Sequence, residues 1–392
     1  MLELKRVKPL SESFLESIGF YWHNDNDNTP YVSDSLVVIS QKEAQAYYEA
    51  ANELYDMFVE GAQHVIDNNL FHELGIPFTL VELIKKSWEN DVHWHLYGRF
   101  DLSGGIDGKP IKLIEFNADT PTALFETAII QWAMLKANGM DEAKQFNNVL
   151  EALRENFKRL VVLHGDVADF SQYYDGWKIL FSSIRGNIEE ENTTKLLQNA
   201  ANEAGFHTDF EYIDAVGFSP NEGIFKDEES FEYWFKLIPW EEIALQEGDL
   251  ALILRDIVEN QKAIILNPAY SLIFQSKAFM KILWDLYPRH PLLLETAFEP
   301  LVGKKYVEKR AFGREGANTI IRDEKDQIIA SKIGDYEHFT PVYQEFVEFA
   351  SDEAGDLYQA GVFFAYEACG LGFRKGGLIL DNYAKFVGHI IS

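Results

Sequence analysis

Apolar and polar residues alternate along residues 95–102, "HLYGRFDL", and again along 114–119, "IEFNAD". This is the two-residue period of strands that bury one face. Between the two runs, "SGGIDGKP" gathers Gly, Asp and Pro, so the pair reads as a hairpin closed by a turn. Antiparallel pairing about that turn sets Asp101 opposite Glu115 and Arg99 opposite Asn117. Parity then places all four side chains on one face. The second run breaks at Thr-Pro-Thr. Thr120 as N-cap, Pro121 in the first turn, helical apolar spacing over 122–138 and a closing Gly139 predict a helix there. Its positive end would offer a seat to a phosphate or a carboxylate.

Apolar positions three and four residues apart predict a long helix over 41–69, a second near 141–160 and a third over 271–287. Residues 178–184, 193–204 and 207–214 read as strand, helix and strand, the βαβ pattern of an α/β layer. After Pro300 the chain becomes strand-rich and glycine-rich. There, 306–321 gives an apolar run carrying Lys309, a loop with Gly313, Arg314 and Gly316, and a second apolar run. No fixed-period repeat, low-complexity tract or long linker interrupts the 392 residues, so one α/β unit with several lobes is expected.

Composition narrows the partners. A hydrophobic content of 47% excludes disorder, and 35 Lys+Arg against 63 Asp+Glu, a formal net charge of −28, argues against nucleic acid. The same charge would attract a cationic ligand, or would simply keep molecules apart. The single cysteine, Cys369, rules out internal disulfides and thiolate zinc sites and points to a reducing cytoplasm. The start of the chain lacks the apolar core of a signal peptide, and no run of about 18 apolar residues suggests a membrane span.

Two carboxylates, a carboxamide oxygen and a guanidinium on one sheet face suit Mg²⁺, a hard cation that keeps several positions for water and phosphate oxygens. A charged, solvated surface hairpin is the alternative. Likewise the loop carrying Arg314 reads either as a lid closing over phosphates or as a hairpin with a charged tip. The Gly-Lys-Ser/Thr phosphate loop is absent, because "GKP" has Pro where the hydroxyl belongs, and there is no dinucleotide fingerprint. His93 and His95 do not complete a zinc set, and Cys369 has no neighbouring base, so none of the three is read as catalytic.

Taken together, the ordered blocks "GFYWH", "PYVSD", "GRFDL", "EFNADTPT", "EEENTT", "AGFHTDFEYID", "NPAYSLIFQSKAFMKILWDLYPRHP", "VEKRAFGREGAN", "PVYQEF" and "LGFRKGGLILDNYAKFVGH" resemble the glutathionylspermidine synthetase family of ATP-grasp ligases. The resemblance covers the synthetase part only, without an amidase domain. It implies an α/β ATP-grasp fold with a permuted motif order, the metal ligands preceding the nucleotide-binding lysines. On that reading 1–150 holds a helical region and the magnesium hairpin, 151–270 a substrate-side layer, 271–350 the nucleotide-binding lid, and 351–392 a return to the catalytic core. ATP and Mg²⁺, with two ions expected, would be bound. Asp101, Glu115 and Asn117 would hold the metal and Arg99 the reacting phosphate; Lys277, Lys309, Gly316, Gln344, Glu345 and Arg374 would bind nucleotide. Thr120, Thr122 and Arg314 match positions that meet the peptide substrate. Glu189 and Glu190 lie in the block that supplies acids near the amine, although by sequence alone they also read as a solvated turn before a helix.

The implied reaction joins glutathione or a related peptide to spermidine or another polyamine through an acyl phosphate. The same chemistry on another acid and amine, or a binding protein without turnover, are the alternatives. Arg310 stands where the family has Pro, Lys375 and Gly376 replace an acidic pair, and Gly388 replaces a Pro. These departures bear on lid geometry and amine specificity and leave the magnesium set intact. Oligomeric state is left open.

Overall fold

In the computed structural model, which describes residues 2–25, 27–381 and 383–392, the alternating runs form the hairpin that their spacing predicts. Strands Gly98–Ser103 and Lys112–Asn117 pair antiparallel, with Arg99 opposite Asn117 and Asp101 opposite Glu115. The other face of the hairpin is aromatic. Phe100 stacks on Phe116 with centroids 3.8 Å apart, and Phe58 meets both edge-on. Phe58 belongs to the helix Gln41–Asn68, which opens on a capping box of Ser40 and Glu43 and closes at Asn69 in the left-handed conformation. Burial against this helix fixes the register, since a slip of one residue would drive the charged set into the core.

The hairpin sits at the edge of an antiparallel sheet ordered 112–117, 98–103, 357–365, 367–376, 385–387, with 350–351 pairing onto 357–365. Two further sheets flank it. A parallel sheet runs 264–266, 233–236, 178–182, 207–210, with the helix Ile188–Ala204 as the crossover between its last two strands. An antiparallel sheet runs 296–297, 341–345, 306–310, 319–322, 328–332. One hydrophobic cluster joins Phe58, Phe100, Trp234, Phe274, Phe312 and Val342, and so reaches all three sheets. Among the described residues no helix is long and apolar enough to cross a membrane.

The helix expected over 193–204 begins earlier, at Ile188, where Asn187 caps it, and the strands expected over 178–184 and 207–214 end at Ser182 and Phe210. Three further helices differ in extent because tertiary hydrogen bonds take over the backbone. The helix expected after Pro121 begins only at Leu124, and Ala123 has φ +63°. Thr120 is therefore not its N-cap; the Thr-Pro-Thr stretch is a loop pinned by Arg99, which donates to the Thr122 carbonyl at 2.5 Å. The C-terminal end at Gly139 is as expected, in the left-handed conformation. The helix sought near 141–160 is Val149–Val162, because residues 146–148 bond to the strand 367–376 through Asn148 N–H to the Cys369 carbonyl and Leu371 N–H to the Phe146 carbonyl. The helix sought over 271–287 is split into Ser271–Gln275 and Phe279–Leu286. Ser276 Oγ donates to the Leu74 carbonyl and Lys277 N–H to the Ala311 carbonyl, each at 2.8 Å, and the break turns Lys277 toward the hairpin.

Candidate active site

The charged face of the hairpin, the loop 311–318 and the first turn of the helix Ile188–Ala204 enclose one cavity of about 500 Å³. Every site residue proposed from the sequence lines it. Arg99 and Asp101, both buried, form a two-pronged pair, Nε to Oδ1 at 2.6 Å and Nη2 to Oδ2 at 3.0 Å. Gly361 lies opposite Asp101 on the next strand; a β-carbon there would stand 3.0 Å from Arg99 Cδ, so its absence lets the guanidinium lie across the sheet.

Glu115 faces two lysines. Lys277 Nζ lies 3.2 Å from its carboxylate and also donates to the Gly313 carbonyl at 2.7 Å, while Lys309 donates to Gln344 Oε1 at 2.9 Å. Burial would raise the Glu115 carboxyl, but Lys277, Lys309 and Arg99 outweigh it and hold the group down at about 2. Lys309 is itself lowered to about 8, first by burial and then by Lys277, against the pull of Glu115 and Asp101. Gln344 Nε2 reaches the Ile114 carbonyl at 3.4 Å, and Glu345 pairs with Lys304 at 3.7 Å. Beside them Ile114, Leu294, Val307, Ile321, Phe346 and Val347 make one end of the cavity apolar. Arg374 enters from the central sheet and donates to the Asp381 carbonyl at 2.8 Å.

The opposite end is acidic. Asn187 caps the helix by accepting from Glu190 N–H at 3.2 Å, which puts Glu189 and Glu190 in the first turn. They are half-buried at the cavity wall, not a solvated turn. Burial, then Glu126 and Glu190, push Glu189 up to about 8; burial also raises Glu190. Arg314 reaches this end from the loop 311–318, donating to Thr120 Oγ1 at 2.9 Å and lying 3.6 Å from Glu241. Arg314 Nε and one oxygen each of Glu190 and Glu241 are buried with no hydrogen-bond partner. Such groups are costly unless something else meets them.

Among the described residues no group of three or more His, Cys, Asp or Glu is placed to hold a metal. Two carboxylates and a carboxamide are nevertheless the modest set that Mg²⁺ takes when phosphates and water complete its shell. The Asn117 amide nitrogen is buried without a partner, a donor suited to an acceptor oxygen such as a phosphate's, while the side chain's carbonyl oxygen is the atom that would face the ion. His93 and His95 are buried and lowered to about 4 by burial, and His95 Nε2 bonds the Ala118 carbonyl at 2.8 Å, so both are structural. Burial likewise raises the Cys369 thiol.

Residues 3–392 match the family described as glutathionylspermidine synthase preATP-grasp. The chain belongs to this family. A Haemophilus influenzae protein named as a candidate acid–amine ligase is 29% identical over 391 residues, 96% of this chain and 95% of its own length. The Escherichia coli bifunctional glutathionylspermidine synthetase/amidase is 24% identical over 371 residues, 87% of this chain, which spans 55% of that enzyme. The Crithidia fasciculata glutathionylspermidine synthase is 25% identical over 282 residues, covering 65% of this chain and 38% of its own length. In structure, a glutathione synthetase-like effector of Globodera pallida in its apo form superposes with a TM-score of 0.59 over 98% of both chains at 11% identity. The fold is thus the mixed α/β ATP-grasp type, with the hairpin of Arg99, Asp101, Glu115 and Asn117 ahead of Lys277 and Lys309 in the chain.

Within this synthase family fold, the departures at Arg310, Lys375 and Gly388 have local partners. Arg310 lies 3.4 Å from Glu308, Lys375 lies 3.1 Å from Asp356, and Gly388 packs where a β-carbon would stand 2.8 Å from Gln131 Cβ. Sequence reasoning missed three features in and around the cavity. Trp22 and Tyr31 line it from the N-terminal segment. Glu126, only 1% exposed, sits on a π-helical turn, Glu126–Ile130, and accepts from Trp22 Nε1 at 2.9 Å. Asp119, which continues the alternation of Glu115 and Asn117, instead pairs with Lys236 at 2.9 Å with both side chains fully buried. The π-turn leaves no periodic mark in the sequence, and the partner of Asp119 is 117 residues away.

Proposed function

We propose that this protein is an ATP-dependent carboxylate–amine ligase that joins glutathione or a related peptide acid to spermidine or another polyamine. The observation that carries the reading is one cavity with cationic groups Lys277, Lys309 and Arg99 gathered about Glu115 and acidic groups at Glu189 and Glu190. A polyphosphate suits the first and a cationic amine the second. In the reaction, the acid's carboxylate oxygen attacks the γ-phosphorus of ATP, ADP leaves, and the amine nitrogen then displaces phosphate from the acyl carbon.

Each residue has a role that follows from charge and place. Lys277 and Lys309 disperse the charge of the polyphosphate, and the apolar end beside Gln344 and Glu345 receives the adenine ring. Arg99, held by Asp101 and the Thr122 carbonyl, places its positive charge where the γ-phosphate and the carboxylate bring negative charge together. Mg²⁺ held by Asp101, Glu115 and Asn117 would neutralise phosphate oxygens. Thr120, Thr122 and Arg314 meet the peptide, and the loop 311–318, with Gly316, excludes the water that would hydrolyse an acyl phosphate.

Incubation with ATP, Mg²⁺ and a mixed pool of peptides and polyamines, followed by mass spectrometry, tests this reading. The expected result is a species equal to one acid plus one amine less one water, formed with ADP. ATP consumption without any such amide, or no reaction with any pair, would overturn it.

A further inference from the structure

The amine of the proposed reaction arrives at neutral pH as an ammonium ion, which has no lone pair with which to attack. Something at the acidic end must take a proton from it. Glu189 lines the cavity there, together with Glu190 from its own helix and Glu315 from the loop 311–318. Glu126, 1% exposed on the π-turn Glu126–Ile130, is bonded to Trp22, a residue of the same cavity wall. Trp22 Nε1 fixes one Glu126 oxygen at 2.9 Å. Four residues before Glu126 in the chain, Thr122 is held by the Arg99 guanidinium at 2.5 Å, and the charge of Arg99 is felt at Glu126.

We infer that Glu189 is the proton acceptor for the attacking ammonium, and that Glu126 is a positioning residue that acts through Glu189. The inference rests on the ligase reading above. One ammonium proton passes to a Glu189 oxygen, and the nitrogen lone pair forms the C–N bond. The C–O bond to phosphate breaks, and phosphate leaves with the second N–H proton. The groups facing Glu189 are Glu190 on its own helix, Glu126 from the π-turn, Glu315 from the loop 311–318 and Arg374 from the central sheet. Burial together with the three acids raises it to about 8 and outweighs Arg374, so its basicity falls where a general base works best near neutral pH. Glu126 is raised as well, by its own burial, against Trp22, Tyr31 and Arg99.

Hydroxylamine separates this step from the rest, because it is uncharged at neutral pH and attacks an acyl phosphate without first losing a proton. The assay supplies ATP, Mg²⁺ and glutathione with either saturating spermidine or hydroxylamine. For Glu189→Gln the ratio of spermidine amide to hydroxamate is expected to fall by roughly 10²-fold, the scale of a lost general base. For Glu126→Gln the acid limb of kcat/KM for spermidine should move to lower pH than in the wild type, because a negative charge that raised Glu189 is gone. An unchanged product ratio in Glu189→Gln, or an unmoved limb in Glu126→Gln, would overturn the assignment. A wild-type enzyme that makes neither product from glutathione would instead overturn the ligase reading with this acid, and with it the inference.

Discussion

Arg99 is where side-chain chemistry and backbone architecture meet most closely. Its Nε and Nη2 are spent on Asp101, Nη1 on the Thr122 loop, and the whole group is buried, so it cannot be a screened surface ion pair. Burial works against its charge, yet Asp101 and Glu115 raise its proton affinity and keep it cationic. Lysine would keep the charge and lose the planar fork that grips Asp101 and the loop together. Arg99→Lys is expected to lower kcat by roughly 10²-fold or more while ATP affinity changes much less; kinetics and nucleotide titration of this variant check it. Near-normal kcat would leave Arg99 with structure alone. This residue was legible because a strand's period of two places Arg99, Asp101, Glu115 and Asn117 on one face whatever else the chain does. Glu126 and Asp119 were not, since their surroundings are made by Trp22 and Lys236, far away in sequence.

At the scale of elements, the pattern revealed which segments are helix or strand better than where they stop. The breaks at 276–278 and 120–123 come from tertiary hydrogen bonds, and both lie at the cavity, where Lys277 and the two threonines need to leave regular structure. The strand, loop and strand over 306–322 was legible because apolar runs flank a glycine-containing basic loop, and it forms the hairpin Tyr306–Arg310 with Thr319–Arg322. Its seating was not legible. Gly316 has φ +69°, and a β-carbon there would stand 2.7 Å from both Ile379 Cγ2 and the Leu380 carbonyl, so the loop rests on the C-terminal segment. Gly316→Ala is therefore expected to hold the loop off that segment and strain its backbone. KM for ATP should rise roughly 10-fold or more, a loss of about 1.4 kcal/mol of binding, with circular dichroism unchanged. An unaltered KM would show that loop seating does not matter to nucleotide binding.

For the whole molecule, a formal charge of −28 would repel a nucleotide from most of the surface, and the chain answers by gathering Arg99, Lys277 and Lys309 at one end of a cavity. Acids dominate the other end, so one enclosed space offers both a polyphosphate and a cationic amine a complementary wall. That cavity could not be read from local periodicity, because its wall is shared by the central sheet, the sheet of 306–310 and 341–345, and the first turn of the helix Ile188–Ala204; the family resemblance implied the ATP-grasp fold, and the fold agrees. The most direct test is ADP release measured with Mg²⁺-ATP and glutathione alone, spermidine alone, and both together. The account predicts turnover only when acid and amine are both present, in proportion to amide formed. ADP release at the same rate without either substrate would contradict it.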